Sequence, residues 1–166
     1  MSVLRESIEL PKPMADHALR LLHHVGWHGV AMVEFKVERR TGIPYLMEIN
    51  GRFWGSLQLA VDAGLNFPFL LHQLICGRPV QAPAGYRVGV KSRWLLGDLD
   101  HLLARLFKSE DTLRLPPGAP SRMRCVLEFA RFFQKDLHYE VERWEDPGPA
   151  WQELRAYVKA MVKGRA

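Results

Sequence analysis

Two glutamates, Glu34 and Glu48, sit in runs otherwise built from β-branched and apolar residues, "VAMVEFKVE" and "IPYLMEIN", and Asn50 and Arg52 follow the second at two-residue intervals. Carboxylates and a carboxamide are hard oxygen donors of the kind that hold Mg2+ or Mn2+, while an arginine fork grips a phosphate or carboxylate at two points. Magnesium takes few protein ligands and completes its shell with water and phosphate oxygens, so a short donor set suits a nucleotide site.

The elements that must position these residues come next. The two runs flank the turn-like "RRTG" and read as a β-hairpin. Centring the hairpin near Thr41 pairs Met32 with Asn50, Glu34 with Glu48, and Lys36 with Leu46. Cross-strand partners point the same way, so Glu34, Lys36, Glu48, Asn50 and Arg52 share a face, opposite Ala31, Val33, Phe35, Val37, Tyr45, Met47 and Ile49. Directly opposed like charges repel, and a dry, uncompensated acid costs several kcal/mol, so the pair calls for water, a basic neighbour or a bound cation. The face also fits a solvated surface on which Lys36 balances Glu34. Spacing alone leaves both readings open.

Around the hairpin the pattern predicts a strand over 2–10, a helix from Pro13 to Val25 stopped by Gly26, and a helix from Ser56 through Ala63. A further helix follows with Asn66 as cap and Gly77 as stop, then a strand in "YRVGVKSRWLL" and a helix after Gly97 capped by Asp98. "SEDTLRLPPGAP" reads as a linker; beyond it come a helix over 120–134, a strand in "LHYEVERW", and a last helix from Ala150 to Lys163. The expected fold class is α/β (α+β): a mixed or antiparallel sheet with the acidic hairpin, packed by helices and followed by a helical C-terminal extension. The expected division is 1–108 and 109–166.

At 166 residues and 48% hydrophobic, the chain can bury one respectable core, which rules out disorder throughout. No apolar run reaches membrane-spanning length and the start lacks a signal-peptide pattern, so the expected location is cytoplasmic, with no membrane partner. Cys76 and Cys125 have no histidine at metal-ligand spacing and are expected to pack as small apolar residues. The net charge of +5 would suit an anionic partner, and Arg122, Arg124, Arg131 and Lys135 would form the nucleic-acid face of one helix. A solvated helix face explains that basic excess equally well, and nucleic acid is not the expected partner. Trp54 is expected to close a core, and His23, His24 and His28 to lie at a surface or cap. Arg87, Lys91 and Arg93, alternating along one strand face, would meet water or a substrate carboxylate.

The order of the residues narrows the choice. "GVAMVEFK", a turn, then "PYLMEINGRFWGSLQLAVDAGLNFP" resembles the last part of the ATP-grasp fold, in particular the carbamoyl-phosphate-synthase-like ATP-grasp ligases. The resemblance covers about residues 13–80 and weakly extends to Phe107. It implies that Glu34 is the first metal-binding acid, Glu48 the second, Asn50 the asparagine ligand, and Arg52 the catalytic arginine that steadies the phosphate in transit. It implies that Lys36 and Met47 line the nucleotide, with ATP and Mg2+ (or Mn2+) as cofactors. The implied activity is a carboxylate–amine ligase: ATP activates a small-molecule carboxylate as an acyl phosphate, which an amine then attacks.

Family members close a smaller, lysine-bearing lobe with a glycine-rich phosphate loop over this edge, and no counterpart is found in the residues before Glu34. The expectation is a fragment of a longer ligase, or a chain completed by a separate partner. The alternative is a noncatalytic interaction or regulatory module derived from the fold.

Overall fold

The computed structural model describes residues 4–81, 83–116 and 118–164. In chain order the elements are β1 (Leu4–Glu6), α1 (Lys12–His24), β2 (Met32–Val37), β3 (Pro44–Asn50), α2 (Leu57–Asp62), α3 (Phe67–Ile75), β4 (Lys91–Arg93), α4 (Leu95–Phe107), α5 (Glu110–Leu113), α6 (Arg122–Phe129), β5 (Leu137–Tyr139) and α7 (Gly148–Val162). They divide into two compact units, Ser7–Gly89 and the pair of segments Met1–Glu6 and Val90–Ala166.

The Ser7–Gly89 unit carries the hairpin. Pro11 and Pro13 open α1, where the missing N–H costs nothing, and Gly26, at a φ of 61°, ends its turn in the left-handed region. β2 and β3 pair as an antiparallel two-stranded sheet around a turn in which Gly42 N–H donates to the Glu38 carbonyl. Gly42 has a φ of 71°, a conformation that costs glycine little and a β-branched residue much. Asn66 caps α3 by accepting from Phe69 N–H at 3.0 Å. Trp54 meets Phe67 edge-on, ring centres 5.3 Å apart, as a core-closing aromatic does.

The register departs from expectation in the outer half of the hairpin. Met32 faces Asn50 and Glu34 faces Glu48, but the pairing then slips: Phe35 faces Leu46, Lys36 faces Tyr45, and Val37 faces Pro44. Met47 is the extra residue of a β-bulge. Because side chains alternate with a period of two, one inserted residue reverses the faces beyond it. Leu46 therefore joins Phe35 and Pro44 on the apolar side, where they line a groove with Leu21 and His24 of α1, and the expected Lys36–Leu46 pair does not form.

In the other unit β1, β4 and β5 form one mixed sheet, β1 antiparallel and β5 parallel to β4. The strand expected over "YRVGVKSRWLL" shortens to Lys91–Arg93, and the supposed linker contains the single turn α5. α4 starts before Gly97, with Trp94 at its N-cap, so Asp98 lies inside the first turn and is not the cap. A side chain at Gly97 would collide with the Trp94 ring, which favours glycine there. Cys125 is buried as expected, whereas Cys76 is exposed at the C-cap of α3 and does not pack as a small apolar residue. No helix among the described residues is long and apolar enough to cross a membrane.

Candidate metal and phosphate edge

The unslipped half of the hairpin holds the expected ligands Glu34, Glu48 and Asn50. Glu34 on β2 stands opposite Glu48 on β3, both exposed, and neither takes part in an ion pair among the described residues. Asn50, half-buried and paired across the ladder with Met32, donates its amide Nδ2 to Glu48 Oε1 at 2.7 Å. That contact ties the carboxamide to the second carboxylate and leaves the carboxamide oxygen as a further donor atom. Among the described residues no three or more His, Cys, Asp and Glu side chains cluster for a metal, so any cation here needs Asn50 beside the two acids.

The donor set fits a hard divalent cation on its own terms. Two carboxylates held opposite each other repel, no basic side chain among the described residues comes within ion-pair distance of them, and a neutral oxygen donor is fixed alongside.

Beyond Asn50, Gly51 has a structural reason to be glycine, because a side chain there would run into the Trp27 ring. Trp27 is held by its indole N–H donating to the Val30 carbonyl at 3.2 Å. This brace between the entry to β2 and the exit of β3 escaped the sequence reading; the signal was a tryptophan and a glycine flanking the acidic strands. Arg52 follows, exposed, with Nη1 donating to the Phe53 carbonyl at 3.0 Å. Lys36 is exposed and two residues from Glu34 on the same strand face, while Met47 sits in the bulge at 57% exposure.

Other candidates resolve differently. Arg93 is 3% exposed and ion-paired to Asp98, so it meets neither water nor substrate as expected. Arg87 lies outside β4 and donates to the Asp62 carbonyl. Asp100 accepts from the Tyr157 hydroxyl at 2.5 Å, which, with desolvation, pushes that phenol up to about 12. His23, His24 and His28 are exposed. Arg124 pairs with Glu128 at 2.9 Å, as a solvated helix face would.

A family model described as "ATP-grasp in the biosynthetic pathway with Ter operon" matches residues 3–97. The chain belongs to this ATP-grasp family. No curated protein and no solved structure matches it. The small sheets and interleaved helices are those of a partial ATP-grasp fold. The ATP-grasp match contains Glu34, Lys36, Met47, Glu48, Asn50 and Arg52 and ends within the first turn of α4.

Proposed function

We propose that this ATP-grasp chain supplies the metal and phosphate edge of an ATP-dependent carboxylate–amine ligase, similar to the carbamoyl-phosphate-synthase-like members. The observation that carries the reading is the opposition of Glu34 and Glu48 with Asn50 bonded to Glu48, inside the family match. Glu34, Glu48 and Asn50 would hold Mg2+ or Mn2+, which when bound neutralises charge between phosphates. Arg52 presents a planar fork beside them; trading its bond to the Phe53 carbonyl for a phosphate oxygen lets it stabilise negative charge on the group in transit. Lys36 and Met47 would line the nucleotide, Lys36 by charge and Met47 by an adaptable apolar surface.

In this reading residues 1–108 make up the family lobe and 109–166 an appended segment. Titration calorimetry of ATP with Mg2+ on this chain and on Glu48→Gln tests the edge. The expected result is measurable heat that weakens about tenfold or more in the variant, since a second-carboxylate loss removes a charge-assisted contact. Equal heats from the two proteins would sink the metal assignment.

A further inference from the structure

Two exposed surfaces, one on each compact unit, are both apolar and opposite in charge. On the Ser7–Gly89 unit, α1 and the apolar side of the hairpin border an open groove of about 610 Å³, floored by Leu21, Phe35 and Leu46. Its rim is basic. His17, Arg20 and His24 of α1 border it, Lys12 is exposed on the same helix, and Asp16 is that helix's one acid. Arg20 Nη2 donates to His17 Nδ1 at 2.6 Å and pairs with no carboxylate among the described residues.

The other unit offers a counterpart. The connection into α7 and its first turn, 144–151, reads "WEDPGPAW", two tryptophans framing Glu145 and Asp146 with no basic residue between them. Trp144 is 98% exposed and Trp151 61%, and both acids are exposed. Asp146 Oδ1 accepts from Gly148 N–H at 3.3 Å and Pro147 and Pro149 fix their own φ, so the segment is ordered before it meets a partner. An indole in water forgoes a large apolar burial, tryptophan is among the side chains that carry most of the energy of protein interfaces, and an ordered segment loses little entropy on docking.

Charge separates this segment from other exposed apolar residues. Met123, Leu127 and Phe133 stand among the exposed Arg122, Arg124 and Arg131, which a basic rim repels, and exposed Phe107 is followed by Lys108.

We propose that the 144–151 segment of one copy docks in the α1–hairpin groove of a second copy of this chain, Trp144 covering the apolar floor and Glu145 and Asp146 meeting the basic rim. Groove and segment differ, so the contact is heterologous. The groove lies on the opposite side of the hairpin from Glu34 and Glu48, so the contact stands or falls independently of the metal assignment.

Sedimentation velocity of the full chain over about 5 to 500 μM tests it, a range suited to a small interface. The weight-average mass is expected to rise above that of one chain with concentration, and to fall back as salt is raised from about 50 to 500 mM. Trp144→Ala is expected to weaken association about tenfold or more, and Arg20→Glu or Glu145→Arg several-fold. All three positions are exposed, so the fold tolerates the changes. Mixing the Arg20→Glu chain with the Glu145→Arg chain is expected to restore the association that each loses alone, because the unaltered segment of the first then meets the unaltered groove of the second. A mass that stays at one chain across the whole range overturns the proposal and leaves the groove to a different protein. Association that Trp144→Ala leaves unchanged overturns it too, by assigning the contact to another part of the chain.

Discussion

Arg93 meets one carboxylate, two carbonyls and two aromatic faces: Nε donates to Asp98 Oδ2 at 2.8 Å, Nη2 to the Phe129 carbonyl at 2.8 Å and Nη1 to the Arg131 carbonyl at 3.3 Å, and the guanidinium lies 5.0 and 5.2 Å from the Phe129 and Phe132 ring centres. Nε, Nη1 and Nη2 each donate, which is how a charge at 3% exposure becomes tolerable. Removing the acid alone leaves the cation buried. Asp98→Ala is therefore expected to cost about 3 kcal/mol or more in urea unfolding, with an unchanged denaturant slope. A loss below about 1 kcal/mol would mean that water screens the pair as it does at a surface. Glu34 and Glu48 follow the opposite logic: exposed and alike in sign, they are held together by backbone pairing and not by attraction.

At the scale of elements, helix caps separate sequence signal from realised contact. Ser56 and Asn66 occupy equivalent positions before α2 and α3, but only Asn66 makes its side-chain bond. Asn66→Ala is expected to lower stability by about 1 kcal/mol and Ser56→Ala by far less, measured by the unfolding midpoint. The hairpin shows the same split. Its strands, its turn and the opposition of Glu34 and Glu48 were legible, because β-branched runs and turn residues act locally. The bulge at Met47 was not, since no residue type there demands it and only the strand register reveals which face Phe35 and Leu46 take. Arg105 was equally hidden: a helical arginine reads as solvated until the chain around Pro120 covers it.

At the scale of the whole molecule, β1 pairs with β4 some 85 positions later in the chain, as Leu4↔Arg93 through Glu6↔Lys91, and β5 joins the same sheet from beyond α6. Such pairings have no local signature, so three-residue strands of this kind can be placed only once the sheet is seen. The segment after β5 then brings Glu140 and Glu142 toward Glu153 of α7. Burial, followed by repulsion from Glu153 and Glu140, raises the Glu142 carboxyl above its ordinary 4.5, although backbone hydrogen bonds oppose the shift. A raised acid holds its proton longer in the folded protein than in the unfolded chain. Between the two pKa values the folded state binds more protons, so this group's contribution is fully present below about pH 4.5 and is lost as pH climbs through the folded value. Glu142→Gln keeps the shape and removes the charge. Its midpoint is expected to match the wild type at about pH 4 and to exceed it increasingly toward about pH 7, the gain being modest because the site is only half-buried. Parallel midpoint curves across that range would show that Glu142 titrates alike in both states, and the crowding of carboxylates between β5 and α7 would then carry no energetic weight.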